Sequence, residues 1–450
     1  MTGKRKRKLA MPDTLIIVAS VVLLVAILSW IIPSGTYDYQ EMNINGRIRN
    51  VAIDGTYHTI DKSEVTTTGF LGFFSVLYRG CVEAADVIFM ILCCCGTFGV
   101  VVKTGAFHAG IGTILKKLKG KEILLVPIIM MIFGLGGSVF GMASEFYGFY
   151  PLIVGLGVAL GYDAMFGFAI IAVGEFVGFM GATLNPYSVG IAQTISGVEL
   201  YSGTGYRAIC FVIFMAISII YVMIYGRKIK KNPGASVVFG EKNIHAFDRD
   251  ELNEYSFTLK DGLVLLDVLV VLVVLMLGLI KWGWDFPQLC GLFLLMSMIA
   301  AAICKWSPNK WCSEFIDSAK TAMWGCILTG IAKAITVVMQ DAQIMDTVIY
   351  GLSNMLKNAP HAVSAQVMLV VQTLINFFIP SATGQASATM PIMAQLADII
   401  GVSRQTAVLA FQFGDGLSNI FWPTADIVII CGLGGISLQK WYKWFTPLFL

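Results

Sequence analysis

Long apolar runs dominate the pattern of residues along the chain. Several exceed about 18 residues, the length that an α-helix needs to cross the hydrocarbon core of a bilayer. Short polar segments separate these runs. The pattern predicts membrane-spanning helices at about residues 15–32, 84–102, 164–192, 206–226, 262–280, 286–304 and 324–339. We therefore expect an all-α polytopic membrane protein.

Two further apolar regions are interrupted by small and polar residues. In residues 122–163 the stretch "GMASEFYGFYP" (141–151) lies between two apolar arms, and residues 365–400 form a similar pair of arms. If the flanking spans cross the membrane, the chain must enter and leave each region on the same side. A re-entrant hairpin meets this requirement, and so do two ordinary crossings. Irregular backbone at membrane depth is tolerated only where it lines a cavity or is packed in protein, so we favour hairpins whose tips form part of a binding site.

Basic residues indicate which helix ends are cytoplasmic. "KRKRK" (4–8) precedes the first span, and further basic clusters follow at 116–121 and 227–231. The positive-inside rule places these clusters, and with them the N-terminus, in the cytoplasm. The segment after the first span is then external, with a hairpin turn predicted at Asp54-Gly55 and an interfacial helix from about residue 70.

The chain contains one pattern twice, at an offset of 240 residues. "GYDAMFGFAIIAVGE" (161–175) matches "GVSRQTAVLAFQFGD" (401–415), which pairs Glu175 with Asp415. Each copy then has a helix break, "LNPYS" in the first and "FWPTA" in the second. Five predicted crossings separate the two hairpins, and because five is odd the second copy is inverted. Inverted repeats with discontinuous helices are the architecture of secondary transporters.

The repeat divides the chain into five predicted parts. They are a first transmembrane helix (1–33), an external loop with an interfacial helix (34–83), a first inverted repeat with hairpin 122–163 (84–231), a cytoplasmic linker with connecting helices (232–304), and a second inverted repeat with hairpin 365–400 (305–450). Because the closing "WYKWFTPLFL" is too short to cross a bilayer, we expect the last helix to be incomplete.

The hairpin tips and helix breaks supply the candidate binding residues. Backbone N–H and C=O groups freed at these places can bind a substrate and coupling ions. The predicted substrate- and ion-binding residues are Ser144, Glu145, Glu175, Thr183, Asn185, Pro186, Ser381, Thr383, Gly384, Ser387, Asp415, Ser418, Asn419, Pro423 and Thr424. We expect no cofactor, and the coupling ion to be either sodium, held at the tips and breaks, or a proton.

Four charged residues have an alternative interpretation. Glu145 is an ionisable group at bilayer depth, which favours function, although it could instead cap the first turn of the second hairpin arm. Glu175 and Asp415 occupy matching places, which favours binding of a cation or a cationic substrate group over burial satisfied by the opposing hairpin. Lys333 could pair with an anionic group, but we favour the interpretation that it extends towards the membrane surface.

The composition excludes several other classes of protein. Hydrophobic residues make up 57% and charged residues 13% of the chain, with a net charge of +3, whereas soluble domains carry roughly 25% charged residues. Most of the ten cysteines lie in apolar runs and are interpreted as packing residues. No phosphate loop, nucleotide fingerprint or His/Cys metal cluster occurs, so we expect neither an enzyme nor a nucleic-acid partner. A channel would need a continuous polar pore, which opposed closed hairpins disfavour.

Three motifs carry a resemblance to a known family. "GMASEFYGFYPLIVGLGVALGYD", "GEFVGFMGATLNPYSVGIAQ" and "FGDGLSNIFWPTA" resemble the YfcC-type branch of the C4-dicarboxylate anaerobic carrier (DcuC-like) family, in the ion-transporter superfamily. The likeness extends over nearly the whole chain. It implies a homodimer in the cytoplasmic (inner) membrane, whose protomers each have a scaffold and a transport domain with two opposed re-entrant hairpins. Elevator-like alternating access is the mechanism that the resemblance implies.

The resemblance also implies a class of substrate. Members of the family have been linked with C4-dicarboxylates, and the YfcC-type branch with basic amino acids such as arginine and ornithine. Sodium sites of the superfamily often use Ser-Asn-Thr tips, whereas the tips here read Ser144-Glu145 and Ser381-Ala382-Thr383.

The sequence as a whole predicts a secondary active transporter of a small polar metabolite in a lipid bilayer. The predicted core has several acids and few bases, which favours a substrate with a positive group, such as a basic amino acid, and leaves both antiport and symport open. Tip N–H groups could instead hold a carboxylate, so a C4-dicarboxylate carrier is the alternative.

Overall fold

Seven helices of the computed structural model are long and apolar enough to cross a membrane. The structure describes residues 14–44, 47–118, 122–241, 245, 256–357 and 363–450, so the basic cluster at 4–8 and part of the cytoplasmic linker lie outside the described residues. The seven helices are α1 (Thr14–Ile31), α3 (Ala85–Lys103), α7 (Ala164–Gly181), α9 (Thr204–Lys231), α10 (Leu259–Lys281), α11 (Phe286–Ile303) and α13 (Met323–Asp341). All seven predicted spans are confirmed.

Four short strands follow the first span. They are β1 (Ser34–Thr36), β2 (Tyr39–Ile44), β3 (Arg47–Ala52) and β4 (His58–Ile60). β1 pairs with β4 and β2 pairs with β3, both antiparallel. The prediction of a hairpin turn at Asp54-Gly55 is therefore wrong in one respect. Gly55 does form a turn, with a φ of 79°, but the strands on its two sides pair with other strands rather than with each other.

The remaining helices repeat in the same order. The first copy contains α2 (Phe70–Glu83), α3, α4 (Ala106–Leu118), α5 (Leu125–Leu135), α6 (Phe149–Ala159), α7, α8 (Val189–Ile195) and α9. The second contains α12 (Pro308–Lys320), α13, α14 (Met345–Lys357), α15 (Ser364–Phe378), α16 (Ala382–Ile399), α17 (Arg404–Ser418), α18 (Asp426–Gly434) and α19 (Leu438–Phe449). The amphipathic helices α2 and α12 also correspond to each other, because each is the first helix of its copy. The domain boundaries stay a prediction.

Helices α7 and α17 begin at equivalent positions because their caps are equivalent. Asp163 accepts a hydrogen bond from the backbone N–H of Phe166 at 2.7 Å, and Ser403 accepts one from Thr406 at 3.1 Å. Side-chain oxygens in this position satisfy a backbone donor that the first helical turn leaves unpaired. Different residues therefore start the two helices at the same offset of 240 that the sequence shows.

The two copies pack on each other reciprocally. Helix α2 lies on α13 of the second copy, and the equivalent α12 lies on α3 of the first. Helices α7 and α17 also contact each other, with the Gln412 amide donating to the Phe179 carbonyl at 2.8 Å. Reciprocal contacts of this kind are those of a two-fold relation. Since five candidate spans (α7, α9, α10, α11 and α13) separate the two hairpins, the second copy is inverted, as predicted.

The two interrupted regions form re-entrant hairpins. Helix α5 continues as a π-helix to Phe140, and α6 and α15 have 11 and 15 residues, so each of these three arms is shorter than the roughly 20 residues that cross the hydrocarbon core. Helix α16 has 18 residues but is not among the described helices that are apolar enough to cross. Helices α5 and α6 flank α7 on two sides, and α15 and α16 flank α17 in the same way. Helix α7 is buried along its whole length, so the two hairpins and the helices between them form the centre of the protein.

Glycines allow the hairpin arms to approach these central helices. A Cβ atom on Gly178 would lie 2.0 Å from the carbonyl oxygen of Gly134 on α5. The matching residues Gly174 and Gly414 show the same relation in both copies. A Cβ on Gly174 would lie 3.0 Å from Met130, and one on Gly414 would lie 2.9 Å from the backbone nitrogen of Thr373. Each hairpin is therefore packed tightly against its own helix.

Candidate substrate site

Each hairpin tip contacts the helix break of the other copy. In the first tip, between α5 and α6, the hydroxyl of Tyr147 donates to a carboxylate oxygen of Asp426 at 2.6 Å. Asp426 is the first residue of α18, directly after the second break. In the second tip, between α15 and α16, the hydroxyl of Thr383 donates to the carbonyl of Tyr187 in the first break at 3.0 Å. The two opposed hairpins thus meet inside the protein.

A cavity of about 790 Å³ lies where the tips meet. Both tips contribute to its wall, and the second break, α13, the end of α2 and the external strands complete it. The polar residues among its described lining are Tyr39, Asn50, Glu83, Ser144, Tyr147, Thr329, Lys333, Thr336, Gln340, Ser381, Ser387, Thr424 and Asp426. Ligand pockets are commonly about 300–1,000 Å³, so the cavity is large enough for a small metabolite.

Three side chains with formal charges line this cavity. Glu83 and Asp426 carry carboxylates, and Lys333 carries an amine. Lys333 lies near the middle of α13 and its side chain lines the cavity, so the favoured interpretation that it extends to the membrane surface is wrong. The described lining therefore combines two negative groups with one positive group.

The structure brings only some of the predicted residues to the cavity. Those that line it are Ser144, Ser381, Gly384, Ser387 and Thr424. Those that are not among its lining residues are Glu145, Glu175, Thr183, Asn185, Pro186, Thr383, Asp415, Ser418, Asn419 and Pro423. The roles of these residues in transport stay predictions.

Glu145 folds back onto its own hairpin tip. Its carboxylate accepts a hydrogen bond from the backbone N–H of Ala143 at 3.0 Å, and the hydroxyl of Ser144 lies 3.5 Å from the same oxygen. The side chain is 7% exposed. The Ala143 N–H lies in the tip and not in the first turn of α6, which begins at Phe149. This contact is therefore not the cap of the second arm that the sequence left open, and the role of Glu145 in binding stays a prediction.

Glu175 and Asp415 are both fully buried. One carboxylate oxygen of Glu175 accepts a hydrogen bond from Tyr150 at 2.8 Å, and the other has no partner among the described residues. Neither carboxylate oxygen of Asp415 has a well-formed hydrogen bond among them. Buried carboxylates in such surroundings need a proton or a cation nearby.

Oxygen atoms cluster around the side-chain amide of Asn376 at the second break, and Asp415 contributes its main-chain carbonyl to them. The side-chain nitrogen of Asn376 lies 2.9 Å from the Asp415 carbonyl, 2.6 Å from the Ser418 hydroxyl and 3.0 Å from the Asn419 amide oxygen. The amide nitrogen has only two hydrogens for these three oxygens. A rotation of the amide by about 180° exchanges the positions of its nitrogen and its oxygen. With the amide rotated, its own oxygen would join the cluster. Carbonyl, hydroxyl and carboxylate oxygens are the ligands that hard cations prefer.

The first break is closed by side chains of its own copy. The hydroxyl of Ser138 accepts a hydrogen bond from the Thr183 backbone at 3.1 Å, and the amide oxygen of Asn185 accepts from the backbone of Tyr187 and Ser188 at 2.9 and 3.2 Å. These contacts brace the break and leave little of it free to bind a ligand.

The guanidinium of Arg207 forms hydrogen bonds with carbonyl groups that the first helix break leaves without a helical partner. It donates to the carbonyls of Ala182, Ser202 and Thr183 at 2.9, 2.8 and 3.1 Å, and to the hydroxyl of Thr204 at 3.1 Å. The expectation that carbonyls at this break are available to a free ion is therefore wrong for Ala182 and Thr183.

Sequence reasoning missed Tyr147, Arg207 and Asp426. Asp426 follows the "FWPTA" motif directly and Tyr147 belongs to the "GMASEFYGFYP" stretch, so both were close to recognised signals. Arg207 lies at the start of an apolar run, where a basic residue is ordinarily interfacial, and no signal in the sequence distinguishes it. No group of three or more His, Cys, Asp or Glu residues that could hold a metal ion occurs in the part of the chain that the structure describes.

Residues 11–450 match the family model described as "C4-dicarboxylate anaerobic carrier". The chain belongs to this carrier family. It is 32% identical over 477 residues to the Escherichia coli (strain K12) protein named "Putative basic amino acid antiporter YfcC", which covers 98% of this chain and 94% of that protein. It is 27% identical over 488 residues to an uncharacterised protein of Haemophilus influenzae, covering 99% of this chain and 95% of the relative. This member of the carrier family is thus a multi-pass membrane transporter.

Two solved transporters are similar over most of their length at low identity. MtrF of Neisseria gonorrhoeae, described as illuminating a class of antimetabolite efflux pumps, has a TM-score of 0.44 at 15% identity, covering 98% of this chain and 92% of that one. The YdaH transporter of Alcanivorax borkumensis has a TM-score of 0.40 at 14% identity, covering 97% and 95%.

Proposed function

We propose that the protein is a secondary active antiporter of basic amino acids. The observation that carries this proposal is the charge of the cavity between the hairpin tips. Its described lining holds two carboxylates, Glu83 and Asp426, and one amine, Lys333. Ornithine and arginine carry one carboxylate and two cationic groups, which is the complementary set. The name of the Escherichia coli relative supports the same class of substrate.

In this proposal the two ends of the substrate meet different walls of the cavity. Lys333 on α13 binds the substrate carboxylate, assisted by the N-terminus of α16 next to Ser381, where the helix dipole favours negative charge. Asp426, held by Tyr147, and Glu83 bind the two cationic groups. Hydrogen bonds between charged groups in a confined cavity give both affinity and orientation.

Movement of the two hairpins as one unit gives alternating access. The glycine contacts tie each hairpin to its own central helix, and α7 packs on α17, so these elements form one unit. The cavity lies between this unit and α13. A displacement of the unit past α13 would expose the cavity first on one side of the membrane and then on the other, as in an elevator. The proposal includes a homodimer in the cytoplasmic membrane with the N-terminus in the cytoplasm.

In this proposal the coupling ion binds at the second break. The buried Asp415 carboxylate, together with Asn376, Ser418 and Asn419, offers an oxygen-rich surrounding suited to sodium or to a proton on the carboxylate. These residues are not among those that line the cavity, so an ion bound to them can influence the second hairpin without touching the substrate.

Transport by the purified protein in proteoliposomes tests the proposal. Vesicles preloaded with ornithine should take up labelled arginine by saturable counterflow, and vesicles preloaded with succinate should not. Imposed sodium and proton gradients in parallel samples identify the coupling ion. Uptake without saturation or counterflow would indicate a channel and would overturn the proposal.

A C4-dicarboxylate carrier is the second candidate. The description of the family and the presence of Lys333 in the cavity favour it. Glu83 and Asp426 oppose it, because a dianion placed beside two carboxylates meets like-charge repulsion. Succinate counterflow without arginine counterflow would decide for this candidate.

A further inference from the structure

We propose that Arg207 is a built-in cation that permanently occupies the first helix break, so that only the second break can hold an exchangeable coupling ion. This inference rests on the proposed transport function. It assigns a positioning role to Arg207, which acts through the break that it holds rather than by contact with the substrate.

The surroundings of Arg207 are those of a bound cation. The side chain is 1% exposed, and its four hydrogen bonds of 2.8–3.1 Å go to neutral oxygens, three of them carbonyls and one a hydroxyl. Carbonyl and hydroxyl oxygens of an unwound helix are also the groups that coordinate cations in transporters with broken helices. Arginine keeps its charge at all ordinary pH values and its planar group reaches several oxygens at once, so this cation is always present.

The guanidinium joins three elements at the break. Ala182 caps α7 with a φ of 29°, a backbone conformation that side chains other than glycine rarely adopt. Thr183 follows in the break, and Ser202 and Thr204 lie at the start of α9. Arg207 therefore fixes the end of α7 relative to α9. A break held in this way by a covalently attached group cannot gain or lose its cation during the transport cycle.

The second break has donors in the equivalent place, but they carry no charge. Arg207 is the fourth residue of α9, and the fourth residue of α19 is Trp441. The neutral indole N–H of Trp441 donates to the Ile420 carbonyl at 2.7 Å, and the Tyr442 hydroxyl donates to the Phe421 carbonyl at 2.7 Å. Further polar groups come from Asn376, Asp415, Ser418 and Asn419, and Asp415 adds a buried negative charge. The two copies are thus complementary. The first has a fixed cation among neutral oxygens, and the second has a carboxylate among neutral oxygens that needs a mobile cation.

Removal of the side chain should convert the first break into a site for an added cation. We expect the full-length Arg207→Ala variant to lose ornithine uptake by about tenfold, because the buried Ala182 carbonyl loses its donor and the carbonyls of Thr183 and Ser202 each lose one of theirs. Millimolar guanidinium chloride should restore part of this uptake and raise the thermal unfolding temperature of the variant, and it should do neither for the native protein. Choline chloride at the same concentration keeps the ionic strength constant.

A second arginine provides the matched control. Arg404 pairs with Asp398 and donates to the Ser196 carbonyl at 2.9 Å, but its side chain is 41% exposed. The Arg404→Ala variant should show the same response to guanidinium as the native protein. The unfolding measurement does not depend on which substrate is transported. It therefore keeps a failure of this inference distinct from a failure of the proposed function.

Two outcomes would overturn the inference. One is native ornithine uptake by Arg207→Ala, and the other is a variant whose uptake and unfolding temperature do not respond to guanidinium. If Arg207→Ala does not fold, Arg207→Lys and Arg207→Gln decide the question. The lysine variant retains the charge and should transport about tenfold faster than the neutral glutamine variant; equal transport by the two would show that the charge is not what matters.

Discussion

The hydroxyl of Tyr147 lies 2.6 Å from a carboxylate oxygen of Asp426 and joins the first hairpin tip to the second helix break. These residues are 279 positions apart in the chain, and each borders the same cavity. The hydrogen bond holds the Asp426 carboxylate in one orientation at the cavity wall. In the proposed mechanism it thereby connects the inverted repeat with recognition of the substrate.

Replacement of Asp426 by asparagine should weaken binding of ornithine. Loss of one charged hydrogen-bond partner typically costs about 1.5–3 kcal/mol, so KM should rise about 10- to 100-fold. Initial rates of counterflow over a range of ornithine concentrations measure the change. Asp398→Asn is the control, because Asp398 is exposed and pairs with Arg404 at 2.7 Å. An unchanged KM in Asp426→Asn would remove Asp426 from the substrate site.

Replacement of Lys333 by glutamine should remove recognition of the substrate carboxylate. The native protein is expected to bind ornithine in preference to putrescine, which is ornithine without its carboxylate. Because the amine of Lys333 is the positive group of the described cavity lining, the variant should lose this preference by about tenfold or more. Competition of each compound with labelled arginine provides the measurement. A preference that persists in Lys333→Gln would place the carboxylate elsewhere.

Replacement of Gly178 by alanine should destabilise the contact of α5 with α7. The added Cβ would lie 2.0 Å from the Gly134 carbonyl oxygen, and overpacking of this kind costs about 1–3 kcal/mol in the free energy of unfolding. Thermal unfolding of the detergent-solubilised protein should therefore occur at a lower temperature. Gly291→Ala in α11 is the control, since a Cβ there meets nothing within 4 Å. Equal unfolding temperatures for the two variants would contradict the described packing.

Replacement of Asp415 by asparagine should uncouple transport from the ion gradient. The variant keeps the shape of the side chain and removes the buried charge that needs a cation or a proton. We expect gradient-driven accumulation of arginine to be lost, while binding of arginine changes little because Asp415 is not among the residues that line the cavity. Accumulation at the native level would show that coupling does not involve this carboxylate.

The sequence predicted the architecture better than the site, and particular residues show why. The length of each apolar run and the match of the stretches that contain Glu175 and Asp415 can be read directly from the sequence. The spans, the repeat and its inversion could therefore be inferred from them. The direction in which a side chain points is set by packing between distant elements. Glu145 turns back to the Ala143 N–H, and Lys333 faces the cavity from the middle of α13. Neither the spacing nor the charge of these residues in the sequence contained that information.

A structure of the protein determined with bound ornithine tests the central claim most directly. The account predicts ornithine between the two hairpin tips, with its carboxylate at Lys333 and a cationic group at Asp426, next to Ser144 and Ser381. Ornithine bound outside this cavity, with residues 125–159 and 364–399 crossing the membrane as plain helices, would contradict it.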